Sequence, residues 1–235
     1  MGHGVVSAHS RLTDVAHVYP GRFPARHPGW PARLGSLRVR AGVVNLRPVW
    51  LRDGSAWSAI RIRDERHLAP WEPTLPGNWA ERHAASEWPG RWLQLRAAAR
   101  RGVALPFAVT LDGRFVGHVV VGNVIREPLL TGYVGYWVDS TVTGGGVITA
   151  AVALVVDHCF NRVGLHRVEA TVRPENAASL RVLEKLSFRE EGLFRRYLDV
   201  DGAWRDHACY ALTAEEVRPG GMVGRLVAAA RAERV

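Results

Sequence analysis

Three consecutive glycines, Gly144, Gly145 and Gly146, follow a short alternating segment, Tyr133–Val138, and precede an almost wholly apolar stretch, Val147–Phe160. A strand, a glycine turn and a helix start together make an anion site. The first amides of the helix lack intrahelical acceptors, the helix dipole adds about half a positive charge, and glycine lets an anion approach the backbone. A plain glycine turn fits the same residues. A lysine-bearing phosphate loop does not, because Lys185 is the only lysine in the chain. A dinucleotide fingerprint is half matched: Gly144 and Gly146 fit its first two glycines, Thr149 stands at the third, and Glu169 falls in mid-strand rather than at a strand end. Further on, Asn176 and Ser179 have the spacing of a helix N-cap. Glu169, near Arg167 and Arg173, reads as a surface ion-pair partner. Cys159 and Cys209 sit in apolar contexts without zinc-site spacing and read as buried, inert thiols. The 10 histidines show no ligand spacing, so no metal is expected.

The elements that must position these residues follow from periodicity and turn chemistry. Alternation predicts a strand over Val39–Val49, with a turn at Ala41-Gly42, and a helix over Leu51–Arg66 capped by Asp53. A second helix is predicted over Trp79–Arg101, interrupted at Pro89-Gly90. Leu105–Leu111 and Arg114–Asn123 flank Asp112-Gly113, a hairpin signal. Tyr133–Val138 is a further strand, Val147–Phe160 a buried helix, Arg167–Val172 a strand and Asn176–Leu186 a helix. Phe188–Val200 and Ala203–Leu212 read as an antiparallel pair joined at Asp201-Gly202. Thr213 to Glu216 fits a capping box, and a last helix is predicted over Met222–Ala232. This order describes a mixed α/β (α+β) arrangement around one sheet, not a doubly wound alternation.

The chain of 235 residues suits one domain with additions at its ends: an irregular extension over residues 1–34, a domain over 35–214 and a helical tail over 215–235. No apolar run reaches the ~20 residues of a membrane span, and the first 34 residues lack a signal peptide's layout, so a cytoplasmic protein is expected. A formal charge of +9, almost all arginine, favours acidic partners such as CoA phosphates, RNA or a ribosome surface. No DNA-binding motif is present in the sequence.

The segment Arg173-Pro-Glu-Asn-Ala-Ala-Ser-Leu-Arg-Val-Leu-Glu-Lys-Leu-Ser-Phe-Arg-Glu-Glu-Gly192 resembles the second signature of the GNAT acetyltransferases in its RimJ/RimL branch. Leu68-Ala-Pro-Trp-Glu-Pro73, Gly135-Tyr-Trp-Val138 and Trp204-Arg-Asp-His207 match the same branch in order. The resemblance spans residues 37–213 and departs from the signature at Ser187, where Gly is usual. It implies a GNAT fold, with a mixed, mostly antiparallel sheet, two splayed central strands and flanking helices. It also implies direct acetyl transfer from acetyl-CoA to an amine.

On that resemblance, Thr143, Gly144, Gly145, Gly146, Val147, Ile148 and Thr149 form the loop for the CoA pyrophosphate. Thr143 replaces the family's Arg or Gln, and Ile148 a small residue. Trp137, Val138, Asn176, Ser179 and Lys185 complete the expected cofactor contacts. The Val138 N–H is the candidate donor to the thioester oxygen. The family's usual tyrosine position is Leu183 here; some RimL-like enzymes use the motif serine near the departing thiolate, and the resemblance makes the matching Ser179 the candidate acid. Glu169 and Glu72 are the candidate bases, and Glu72 could instead bind the incoming ammonium. Trp71, Glu72, Tyr136, Asp206 and Tyr210 are the candidate acceptor contacts. The implied acceptor is a protein N-terminus, a ribosomal protein with Ala, Ser or Thr first among the candidates, and the enzyme is expected as a monomer or homodimer. A small amine as acceptor and a non-catalytic acyl-CoA-binding module are the alternatives.

Overall fold

A computed structural model describes residues 29–217 and 219–235. Its first element is a hairpin, β1 (Leu34–Val39) and β2 (Gly42–Pro48), turned at Arg40-Ala41. The single strand expected over 39–49 is therefore one arm and the turn of a hairpin whose other arm begins at Leu34. Trp30 fixes the approach to β1 by donating its indole N–H to the Pro106 carbonyl at 3.2 Å. The rest of the expected N-terminal extension, residues 1–28, lies outside the described residues.

The predicted helix over 51–66 is three pieces: a 3-10 turn at Leu51–Asp53, α1 (Gly54–Arg63) and α2 (Glu65–Leu68). Asp53 does not cap α1 with its side chain. It reaches back to Arg47, in a two-pronged pair at 2.6 and 2.8 Å, and to the Trp50 N–H at 2.7 Å. The predicted helix over 79–101 is α3 (Trp79–Arg82), a 3-10 turn and α4 (Trp88–Arg100). The break precedes Pro89 instead of falling on it. Proline lacks an N–H and fits the first helical turn, so Pro89 starts α4.

The remaining elements are β3 (Leu105–Leu111), β4 (Arg114–Ile125), β5 (Thr131–Val138), α5 (Val147–His158), β6 (Arg167–Val172), α6 (Ala177–Lys185), β7 (Arg189–Val200), β8 (Ala203–Thr213), α7 (Gly221–Ala228) and β9 (Glu233–Arg234). The tail expected as helix up to Ala232 ends its helix at Ala228 and returns as β9, paired with β1.

The strands form one sheet in the order β7-β8-β6-β5-β4-β3-β2-β1-β9. Every pairing is antiparallel except β5 with β6. α5 is apolar on all sides, as a helix sandwiched between layers must be. Val147, Val152, Val155 and Val156 bury fully against the sheet and α7. Each such side chain contributes roughly 1.5–3 kcal/mol relative to exposure. On the opposite face a smaller cluster, Trp57, Trp88, Val49 and Ala108, packs α1 and α4 against the sheet, with Trp92 and Trp137 at its edge. No helix of the described residues is long and apolar enough to cross a membrane.

Candidate active site between the splayed strands

Strands β5 and β6 pair over three positions only, Thr131 with Arg167, Gly132 with Val168, and Tyr133 with Glu169. Beyond Tyr133 they separate, leaving Val134–Val138 of β5 without a partner on that side.

Backbone register decides which groups face the gap. The Asp139 N–H donates to the Val116 carbonyl, and Val138 stands opposite Gly117. Antiparallel strands alternate between hydrogen-bonded and non-hydrogen-bonded pairs. Tyr133, Gly135 and Trp137 therefore spend their main-chain groups on β4, whereas Val134, Tyr136 and Val138 turn theirs towards β6. Across the gap, Ala214 donates to the His166 carbonyl, so Glu169 and Thr171 turn their main-chain groups away from β8 and towards β5. The gap is thus lined with main-chain donors and acceptors that suit the amide-bearing arm of a pantetheine. The Val138 N–H faces it. Trp137 does not: its main chain is held by β4, and its ring packs near Phe115, His118 and the Arg61 guanidinium.

Side chains divide between the two faces of the sheet. Residues 134, 136 and 138 point towards α5, and residues 133, 135 and 137 towards the α1–α4 layer. Ser179, in the first turn of α6, lies on the α5 side. Asn176 caps that helix by accepting the Ser179 N–H at 3.0 Å. The Ser179 hydroxyl is 2.8 Å from the Tyr136 hydroxyl. Tyr136 was expected among the acceptor contacts. Strand parity instead places it behind the gap, against Ser179, where burial pushes its hydroxyl up to about 12. Leu183, at the position usual for the family's tyrosine, is fully buried.

Glu169 lies on the opposite face. Its carboxylate pairs with the Arg167 guanidinium, which also holds Glu191, and accepts a hydrogen bond from Tyr133. That bond, with burial, raises the Tyr133 hydroxyl above its ordinary value. Tyr133 carried no expected role; its register opposite Glu169 depends on strand pairing, which spacing along the chain does not reveal.

Trp71 is half-exposed, beneath the Arg173 guanidinium at 5.3 Å, and Arg173 also donates to the Pro70 carbonyl at 2.8 Å. Glu72 pairs with the buried Arg61. That guanidinium stacks near Trp79 and Trp137 and contacts His83 at 2.9 Å. Burial, then the charge of Arg61, hold His83 down at about 4, so it is neutral near pH 7. Asp206 and Tyr210 do not line this face. Asp206 accepts the Arg196 N–H at 2.7 Å inside a bulge of β7. Tyr210 stands opposite Ala170, on the α5 side, and donates to Glu190 at 3.0 Å.

The glycine loop completes the site. Gly146 caps α5 in the left-handed region, at φ 90°, and no side chain caps that helix. Gly145 lies so close to Ala41 that a Cβ there would stand 2.6 Å from the alanine methyl. Thr143 turns its hydroxyl back to the Ser140 carbonyl, at 2.9 Å. The side chains of Val147 and Thr149 are buried, and that of Ile148 packs on the core, so these three offer main-chain amides. Gly144, Gly145, Gly146, Thr149 and Lys185 line a cleft of about 610 Å³. These residues fit a CoA pyrophosphate: helix-start amides without a side-chain cap, a left-handed glycine, and no carboxylate on the loop itself.

Asp64 ties this loop to the opposite layer. It accepts both Arg63 prongs and both the N–H and hydroxyl of Ser140, each at 2.8 Å. Burial alone would raise its carboxyl, but the bonds from Arg63 and Ser140 prevail and hold it at about 2. Among the described residues no group of His, Cys, Asp and Glu could hold a metal ion.

The family described as Acetyltransferase (GNAT) domain matches residues 44–189. RimJ of Mycobacterium smegmatis, solved in complex with CoA-disulfide, is 57% identical, superposes with a TM-score of 0.87, and the match covers 89% of this chain and 100% of that one. The ribosomal protein uS5-alanine N-acetyltransferase of Escherichia coli is 29% identical over 82% of this chain and 98% of its own. A probable N-acetyltransferase of Bacillus subtilis, YjcK, is 44% identical, but the match spans only 43% of this chain and 56% of that protein. The chain belongs to the GNAT acetyltransferase family and is an N-acetyltransferase that draws its acetyl group from acetyl-CoA.

Proposed function

We propose that this enzyme acetylates the α-amine of a protein N-terminus, with a ribosomal protein that begins with alanine as its acceptor and the cytoplasm as its place of work. The observation that carries the reading is the near full-length likeness to the uS5-alanine acetyltransferase and to RimJ. The site supports it chemically. A protein α-amine, with a pKa of about 8, is roughly a tenth neutral at pH 7, whereas a lysine amine is almost wholly charged. An α-amine therefore needs only a modest base.

Acetyl-CoA supplies the acetyl group and a thiol leaving group of moderate basicity. Amides of the glycine loop and of the α5 start bind the pyrophosphate. Main-chain groups of Val134, Tyr136 and Val138 align the pantetheine, and the Val138 N–H donates to the thioester oxygen as charge builds on it. Glu169, on the acceptor face and oriented by Arg167 and Tyr133, takes the proton from the attacking amine. Ser179, on the other face, gives a proton to the departing sulfur, and Tyr136 holds the Ser179 hydroxyl in place. Glu72, fixed by Arg61, and Trp71 form the acceptor's wall. The sheet thus separates the group that receives a proton from the group that donates one.

The test is thiol release from acetyl-CoA with peptides copying ribosomal-protein N-termini, followed by mass spectrometry. An acetyl group on the α-nitrogen of alanine-first peptides is expected. Turnover on small amines alone, with every peptide inert, would overturn the reading.

A further inference from the structure

Several arginines in this fold are matched to carboxylates: Arg47 to Asp53, Arg61 to Glu72, Arg63 to Asp64 and Asp139, Arg167 to Glu169 and Glu191, and Arg189 to Glu191 and Glu216. The cleft beside the glycine loop gathers cations that are not matched in this way. Arg38, Arg40, Arg231 and Lys185 all line it, and Glu233 is the single acid there. Among the described residues none of these four cations is in an ion pair; Arg40 donates to the Gly144 carbonyl at 3.1 Å. Unmatched cations gathered around one concavity repel each other, and an anion relieves that repulsion.

Much of this cleft comes from segments beyond the residues that the family matches. Arg38 and Arg40 belong to the first hairpin, Arg231 and Glu233 to the tail, and the family match runs from 44 to 189. The tail is built to hold its place. Asp157 at the end of α5 accepts the Met222 and Val223 amides at 2.6 and 3.0 Å. Met222, Val223 and Leu226 are buried, and β9 pairs Glu233 with Arg38 and Arg234 with Leu37. Arg231 sits between these two anchors.

We propose that the tail and the first hairpin form a selectivity site for the ribose 3′-phosphate of CoA, with Arg231, Arg38, Arg40 and Lys185 as its cations. The proposal rests on the seating of the pyrophosphate at Gly144–Thr149. The loop's amides then account for two phosphates of the cofactor, and the four cations that line the same cleft await the third, a dianion on the nucleotide.

Calorimetry of the full chain with CoA and with 3′-dephospho-CoA tests it. The native chain should bind CoA at least tenfold more tightly than dephospho-CoA, with a preference that shrinks as salt rises. The exposed pair Arg38→Ala with Arg231→Ala should lose that preference by weakening CoA alone, leaving dephospho-CoA within about twofold. Equal, tight binding of both ligands by the native chain overturns the proposal and leaves the seating at the glycine loop intact. Equal losses for both ligands in the double variant also overturn it, since the tail would then be a wall and not a phosphate reader. Binding of neither ligand overturns the seating itself and the proposal with it.

Discussion

In the proposed mechanism the hydroxyl pair of Ser179 and Tyr136 is the smallest unit on which the chemistry turns. Its 2.8 Å contact places two hydroxyls behind the gap in a fold whose usual tyrosine position is a buried leucine. Ser179→Ala removes the proposed proton donor but no cofactor contact of the loop. It should lower kcat on the order of tenfold to a hundredfold, the lower part of the range for general acids because a thiolate departs readily, with KM for acetyl-CoA nearly unchanged. Tyr136→Phe keeps the packing and loses the bond to Ser179. It should lower kcat severalfold, and the double variant should be no slower than Ser179→Ala alone. Additive losses in steady-state rates would mean that the two hydroxyls act separately. Glu169→Gln should lower kcat/KM for the peptide by roughly tenfold or more, while calorimetric affinity for CoA stays at the native level, because its carboxylate faces the acceptor side.

At the scale of elements, local chemistry announced nearly everything that stands on its own. The hairpins at Asp112-Gly113 and Asp201-Gly202 turn as their sequence requires, with all four residues in the left-handed region. The apolar run of α5 and the Asn176 cap of α6 were equally plain. What the sequence concealed depends on which strand lies beside which. Tyr136 and Trp137 are neighbours in the chain, yet one reaches Ser179 and the other an aromatic cluster, and only strand parity within the formed sheet assigns them. The return of the tail as β9 is hidden for a similar reason: two residues make no periodic signal, and their pairing depends on the exposed edge of β1. Asp64 belongs to the same class. It links the α1–α2 junction to Ser140, 76 positions away. Its carboxyl, held at about 2 against an ordinary 3.8, is depressed by folding. A depressed carboxyl contributes stability that is complete above its unfolded value and is lost as pH falls through the folded one. The contribution, on the order of 2 kcal/mol, is thus full above about pH 5 and drains away between about pH 4 and 2. Urea unfolding of the native chain and Asp64→Asn should differ by that order at pH 7, by about half of it near pH 3, and converge as the pH approaches 2. A constant difference across that interval would remove the linkage.

The described residues form one sheet with a helical layer on each face, and the gap between β5 and β6 opens within it. The glycine loop and α5 lie on one side of that gap and the Glu169 face on the other, so a cofactor seated as proposed would bridge parts of the fold that are distant in sequence. A ligand seated there binds the folded chain and not the unfolded one, which stabilises the fold by about 2.7 kcal/mol at a hundred times its dissociation constant. For a chain of this size each kcal/mol moves the melting temperature by about 2–4 °C. Saturating CoA should therefore raise Tm by roughly 5–10 °C in one cooperative transition. Gly146→Val should abolish most of that rise. A branched side chain is strained at φ 90°, and its Cβ would stand 3.3 Å from that of Val39, so the loop must shift from the geometry that offers its amides. The variant loses some stability on its own account, so the informative quantity is the difference in Tm with and without CoA, read by calorimetry on each protein. A shift preserved at its native size in Gly146→Val would mean that the pyrophosphate is held by something other than this loop.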